Sequence, residues 1–144
     1  MSIGRICVRQ VDTIQPHESA QVAAQRMFDR KVGTLVVVDK ACQPIGILTD
    51  RDIGIRVVAD ARDAVGTLVE EIMTPTPRCI VEQTPIEEAV RIMRNGEYRR
   101  LPVVSGRKLI GIVSLDDILD AMLEEFASIR GVLQEEAPRS LSTV

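Results

Sequence analysis

Hydrophobic and polar positions along this chain change their period several times, and the changes come twice in one order. Ala20, Ala23, Ala24, Met27 and Phe28 fall at i, i+3, i+4, i+7 and i+8, one stripe of an amphipathic helix, and Ile86, Ala89, Val90 and Met93 repeat most of it. After each stripe come two short, β-branched, nearly all-apolar runs. These are TLVVVD and PIGILT in the first half, LPVVS and LIGIVS in the second, and they read as strands covered on both faces. Each pair leads into a second helical pattern. Of the two stripe helices, the later has the better specified start, with Thr84 as cap, Pro85 at the first helical position and Glu87 completing a capping box; the earlier has Glu18 and Ser19 there.

Ile14, Ala23, Met27, Leu35, Val37 and Val38 superpose on Ile80, Ala89, Met93, Leu101, Val103 and Val104, and after a one-residue slip in the loop Gly46 meets Gly111. The repeating unit is strand, helix, strand, strand, helix. An α+β fold is therefore expected, two βαββα repeats packed as a pseudo-twofold pair because neither has much core of its own. The expected divisions are 1–60 for the first repeat, 61–126 for the second, and 127–144 for a C-terminal helix extension and tail. ADARDAVG reads as a polar link and VGTLVEEIM as a short amphipathic helix leading into the second copy. Leu119, Met122, Phe126, Ile129 and Leu133 carry the last helix well past its counterpart, and such a stripe requires burial, against its own core or in a dimer. The end, APRSLSTV, is expected to fray.

A length of 144 residues suits one domain or two halves sharing a core, and 45% hydrophobic residues with a mean hydropathy of +0.09 fit a compact protein. The formal charge of −3 and an aromatic content of 2% without tryptophan argue against nucleic acid. No signal-peptide pattern and no apolar run of membrane-span length is seen, so the expectation is cytoplasmic with no membrane partner. Cys7, Cys42 and Cys79 stand far apart with a single histidine, His17, in a turn; they read as reduced thiols, with no metal site. No phosphate loop, dinucleotide fingerprint, nucleophile elbow or HExxH is present, and no catalytic residue is expected.

The chemistry concentrates in GILTDRDI, residues 46–53, and its second copy GIVSLDDI, residues 111–118. Thr49 and Ser114 suit N-caps, and Asp52 and Asp117 stand at N3, where an acid favours the positive helix end. Aspartate is short for the reach back to the cap amide that a capping box needs. A carboxylate free of that duty suits the paired hydroxyls of a ribose, while the preceding glycine admits a ligand close to the backbone and the helix-start amides hold an anion.

GILTDRD and GIVSLDD in register, with EIMTP before the second, resemble the paired CBS domains of a Bateman module over about residues 6 to 125. The resemblance implies clefts between the repeats that take AMP, ADP, ATP or S-adenosylmethionine as a regulatory ligand, with no cofactor required and no catalysis. It puts Asp52 and Asp117 on ribose hydroxyls and Thr49 and Ser114 near the phosphate or ribose. Ile14 and Ile80, with Val32 in the opposite wall, would sandwich the adenine, and without tryptophan the base lies on aliphatic surfaces. Arg51 faces Asp116 in the alignment, and Arg99 and Arg100 stand where the first copy has Gly33 and Thr34, so the clefts differ. Whichever gathers Arg51, Arg99 or Arg100 is expected to prefer the phosphorylated ligand. The function expected is a stand-alone energy or metabolite sensor, a homodimer acting on an effector protein the sequence does not name. The rival is a ligand-free dimerising or docking module whose aspartates only cap helices.

Overall fold

The computed structural model describes residues 1–136, so the APRSLSTV tail lies outside the described residues. A 3-10 turn, Ile3–Arg5, precedes β1 (Thr13–Ile14), α1 (Ala20–Arg30), β2 (Thr34–Val38), β3 (Pro44–Thr49) and α2 (Asp50–Ile53), which runs on as a π-helical turn over Gly54–Val58. The second half holds α3 (Val69–Ile72), β4 (Thr74–Pro75), β5 (Ile80–Val81), α4 (Ile86–Gly96), β6 (Arg100–Ser105), β7 (Lys108–Ser114) and α5 (Leu115–Glu135). β1 lies parallel to β2, which pairs antiparallel with β3; β5, β6 and β7 repeat this. Both hairpins carry a register shift at one place, between Val37 and Val38 and between Val103 and Val104. The α+β pair of repeats read from the sequence is the architecture found.

The segment leading into each repeat packs on the other one. β4 adds to the first sheet through Gly46↔Pro75 and Ile47↔Thr74, and Val8 bridges Ile112 at the matching edge of the second. Ser19 bridges Leu68, and Ser2 bridges Pro85. The same exchange builds the cores. Val69 and Ile72 are fully buried with Ile14, Ala23, Leu35 and Leu48, while Ile3 is fully buried with Ala89, Leu101, Val103 and Val113. Each repeat thus owns a core, contrary to expectation, but completes it with a side chain from the chain preceding the other repeat. A smaller cluster of Val36, Val38 and Leu109 joins the outer faces of the two sheets, which is why β2 is buried on both sides.

The two glycines of the repeated motif exist for this crossing. A Cβ on Gly46 would collide with the Met73 sulfur and lie 3.1 Å from the Thr74 carbonyl oxygen; on Gly111 it would lie 3.1 Å from both Cys7 Sγ and the Val8 carbonyl oxygen. Close approach of the lead segment, rather than of a ligand, is what the missing side chain permits.

Helix starts also differ from expectation. Ser19 caps α1, its hydroxyl accepting from the Val22 amide at 3.1 Å. Thr84 does not cap α4; its buried hydroxyl accepts from the Val81 amide, and the Ile86 amide donates to the Met1 carbonyl of the crossing segment instead. With a backbone acceptor supplied by the neighbour, the α4 terminus has its partner without a side-chain cap. In α1 the buried positions are Ala20, Ala23 and Met27, and Phe28 is exposed with Ala24.

Candidate functional site

β3 and β7 each end at a hydroxyl residue, and the backbone there turns from extended to helical. Thr49 (φ −117°, ψ 163°) and Ser114 (φ −105°, ψ 162°) are the N-caps of α2 and α5. Both capping boxes close. Thr49 Oγ1 accepts from the Asp52 amide at 3.2 Å and Asp52 Oδ2 accepts from the Thr49 amide at 2.8 Å; Ser114 Oγ and Asp117 Oδ2 do the same at 3.0 and 2.9 Å. Aspartate is therefore long enough, because an extended cap residue brings its own amide back over the first turn. Only one oxygen of each carboxylate is used this way. Oδ1 of Asp52 faces the Arg56 guanidinium at 4.0 Å, and a carboxylate oxygen retains further acceptor capacity.

Each half-buried Asp borders a hollow that opens to solvent. Thr49, Arg51 and Asp52 share a cavity of about 410 Å³ with Thr76, Pro77 and Arg78 from the stretch after β4 and with Tyr98, Arg99 and Arg100 from the approach to β6. Ser114 and Asp117 share one of about 340 Å³ with Gln10, Val11 and Asp12 from the approach to β1 and with Lys31, Val32 and Gly33 from the approach to β2. The two linings correspond position by position across the repeat, so they are one cleft built twice about the pseudo-twofold. Both fall within the range of small-molecule sites. Thr34 and Arg100, which occupy equivalent places, border both cavities, and the Thr34 hydroxyl is buried there without a hydrogen-bond partner.

Their charges have diverged. The first cleft carries Arg51, Arg78, Arg99 and Arg100 against Asp52 and Glu97, whereas the second carries Lys31 and Arg100 against Asp12 and Asp117. Where the first cleft has Arg78 the second has Asp12, and Asp12 is already engaged, accepting from Arg30 Nε at 2.7 Å. Among the described residues, none of the four arginines of the first cleft pairs with a carboxylate. Near the second cleft's edge, Arg99, Arg100, Ser114 and Asp116 border a smaller hollow of about 280 Å³.

Of the residues singled out from sequence, Thr49, Arg51, Asp52, Arg99 and Arg100 come together in one cleft, and Val32, Ser114 and Asp117 in the other, again with Arg100. Ile14 and Ile80 do not line either cavity. They are 1% and 5% exposed and lie in the two cores, because β1 and β5 run beside the central strands β2 and β6 and turn these side chains inward. The residues just before them, Gln10 to Asp12 and Thr76 to Arg78, form the walls instead. Contributors that escaped the sequence reading include the charged Asp12, Lys31, Arg78 and Glu97, and Tyr98, whose ring packs over Gly96 and supplies the aromatic surface that composition made unexpected. The overlay of Tyr98 on Val32 held the signal for the tyrosine.

Among the described residues no group of three or more metal-ligating side chains occurs, and the three cysteines are free.

The sequence model described as CBS domain matches residues 3–54 and 69–124, about three quarters of the chain. The uncharacterized protein MK0525 of Methanopyrus kandleri is 37% identical over 120 residues, covering 83% of this chain and 61% of that protein's length. Among solved structures, a putative signal-transduction protein with CBS domains from Burkholderia ambifaria is similar with a TM-score of 0.79 at 30% identity, covering 86% of this chain and 95% of that one. CBSX2 of Arabidopsis thaliana, in its complex with AMP, is similar with a TM-score of 0.74 at 26% identity, over 85% of this chain and 96% of that one.

Proposed function

Because the chain belongs to the CBS domain family, as a tandem pair of repeats, we propose that it is a regulatory module binding adenosine-containing ligands in its two clefts, with a phosphorylated one in the cleft of Thr49 and Asp52. The observation that carries this reading is the convergence of Arg51, Arg78, Arg99 and Arg100 on the cavity bordered by Asp52 and Glu97, with none of the four arginines in an ion pair among the described residues. Exposed arginines are ordinary one at a time. Four around one hollow create a field that favours a polyanion, and guanidinium binds phosphate through paired hydrogen bonds.

Within this reading Oδ1 of Asp52 accepts from the ribose diol, Tyr98 lies against the base, and the arginines take the phosphates. AMP bound to CBSX2 supports the ligand class. The second cleft, balanced in charge, suits a ligand with less negative charge, such as adenosine or S-adenosylmethionine. The module acts without catalysis, in the cytoplasm, by favouring one arrangement of itself or of a partner protein over another. Neither nucleic acid nor membrane enters the scheme.

Calorimetric titration of the purified chain with ATP, AMP, adenosine and S-adenosylmethionine tests it. ATP is expected to bind more tightly than adenosine, and Arg78→Ala with Arg99→Ala to erase most of that difference. At a hundredfold excess over Kd a ligand raises stability by about 2.7 kcal/mol, which a melting curve detects. Absence of binding by all four at millimolar concentration would sink the proposal in favour of a docking module, a reading the closed capping boxes favour because they explain both aspartates without a ligand.

A further inference from the structure

We infer that Arg56 is a positioning residue of the first cleft, tying the Asp52 carboxylate to the strap of chain that walls the same hollow. The inference rests on the ligand reading of that cleft and adds to it a residue that does not itself line the cavity. Arg56 lies in the π-helical turn Gly54–Val58, four residues after Asp52, where the Ala59 amide donates to the Gly54 carbonyl at 2.9 Å. From there its guanidinium reaches in two directions. Nη1 donates to the carbonyls of Ile72 and Met73 at 2.8 and 3.1 Å, and Nε lies 4.0 Å from Asp52 Oδ1. Those carbonyls stand at the end of α3, where a helix leaves its last acceptors without partners of its own.

Both ends of the tether belong to the cleft. Asp52 borders the cavity directly, and the chain that follows Met73 runs through β4 to Thr76, Pro77 and Arg78, all of which border it too. Beyond Met73 the strap is held to β3 by the two residue pairs of β4 and by the Thr76 amide, which donates to the Ile45 carbonyl at 3.1 Å. A planar guanidinium with one edge fixed on two carbonyls has the direction of its other donors fixed as well. At 4.0 Å its Nε is too far for a hydrogen bond to Oδ1, so it attracts the carboxylate without taking the lone pairs that a sugar hydroxyl would use. The second copy lacks the device. Ala121 stands four residues after Asp117, within α5, and the residue against the motif glycine is Cys7 where the first copy has Met73. Among the described residues no side chain of α5 donates to that stretch. The copy whose carboxylate is tied is thus the copy that gathers Arg51, Arg78 and Arg99. A ligand held at its sugar by Asp52 and at its phosphates by Arg78 needs those two groups at one spacing, and Arg56 sets it.

Titration calorimetry of the full chain with ATP tests it, as a double-mutant cycle read on the tighter site. Arg56→Met, which keeps an apolar stem and drops every donor, is expected to weaken ATP about tenfold. In a chain already carrying Asp52→Asn the same change is expected to weaken it about threefold at most, since no carboxylate is left to position. Arg56→Lys keeps a cation and a donor and so guards against a folding failure of the Met variant; without the planar fork it is expected to weaken ATP about threefold or more. Urea unfolding of the same chains without ligand runs alongside, because a merely structural tie lowers stability and leaves the affinity of the folded chain as it was. A parent that binds ATP while Arg56→Met and Arg56→Lys bind it equally tightly overturns the inference and leaves the ligand reading standing. So does a loss of the same factor with and without Asp52→Asn. A parent that binds none of the adenosine compounds overturns both.

Discussion

Asp52 has two oxygens with separable duties, and a pair of substitutions tells them apart. Oδ2 accepts from the Thr49 amide at 2.8 Å and so closes the start of α2; Oδ1 makes no hydrogen bond of that kind and lies 4.0 Å from the Arg56 guanidinium. Asp52→Ala removes both, and loss of a capping interaction in a half-buried setting costs about 1 kcal/mol. For a chain of this length that is a fall in Tm of about 2 to 8 °C without any ligand present. Asp52→Asn keeps an oxygen for the Thr49 amide but replaces the free acceptor by an NH2, which cannot accept from a sugar hydroxyl. Apo stability is then expected to hold within about 0.5 kcal/mol, while ATP binding loses a hydrogen bond to a charged group, about 1.5 to 3 kcal/mol or roughly 10- to 100-fold in Kd. Differential scanning calorimetry and titration on the same preparations measure both quantities. If Asp52→Asn binds ATP as tightly as the parent, the carboxylate is only a cap and the ribose contact is wrong. The corresponding changes at Asp117 are expected to leave ATP affinity for the first cleft unaltered.

Gly46→Ala forces the Met73 side chain and the Thr74 carbonyl apart from β3 and is expected to cost about 1 to 3 kcal/mol, read from urea unfolding; a neutral result would mean the lead segments do not cross as described. Ile3→Ala, at a fully buried site in the second repeat's core, is expected to cost about 2 to 5 kcal/mol. Since Ile3 precedes the first repeat in sequence, a noncooperative loss confined to that repeat would contradict the exchange. Glu18 accepts from Arg26 at 2.9 and 3.0 Å and from the Gln15 amide at 2.8 Å, and Arg26 foremost holds its carboxyl below the ordinary carboxylate range. A lowered folded-state value means the stabilisation is complete above the unfolded-state value and fades as pH falls through the folded one. Glu18→Gln is thus expected to cost about 1 to 2 kcal/mol at neutral pH, with the gap to the parent closing in acid, as followed by chemical unfolding at several pH values; a gap constant with pH would count against the ion pair.

The elements were readable because their signals are local. Period alone placed α1, α4 and the two hairpins, and the hydroxyl-to-aspartate spacing placed both helix starts. What it did not place depends on which half a residue buries itself in. Ile3 and Ile72 announce a need for burial, yet nothing in their neighbourhood says that each serves the repeat on the other side of the chain. The exchange also explains why the motif glycines were misread: a residue kept small for an approaching backbone looks the same from sequence whether that backbone or a ligand approaches. Ile14 and Ile80 were misplaced for a related reason. Short edge strands of two residues alternate too briefly to declare which side chain faces in, and here the inward one is the isoleucine. Tyr98 was passed over because a count of aromatics weighs frequency, whereas a site needs only one, correctly placed.

The pseudo-twofold makes two clefts, but it also sets a limit on their independence. Thr34 and Arg100 are equivalent positions and stand where the two linings meet, so one guanidinium borders both hollows while its counterpart is a hydroxyl with no partner. Had the repeats remained identical, each cleft would have met a pair of like residues across the axis, two arginines or two threonines. Two arginines there would repel one another in the absence of an anion. Divergence to one of each removes that repulsion and leaves one guanidinium shared by both clefts, while Arg51, Arg78 and Arg99 line the first and not the second. The asymmetry of the motif, TDRD against SLDD, and the exchange of Arg78 for Asp12 act in the same direction: each puts a cation in the first cleft at a place where the second copy has an acid. A twinned scaffold supplies the two hollows, and a handful of arginines on one side of its axis gives them different charge.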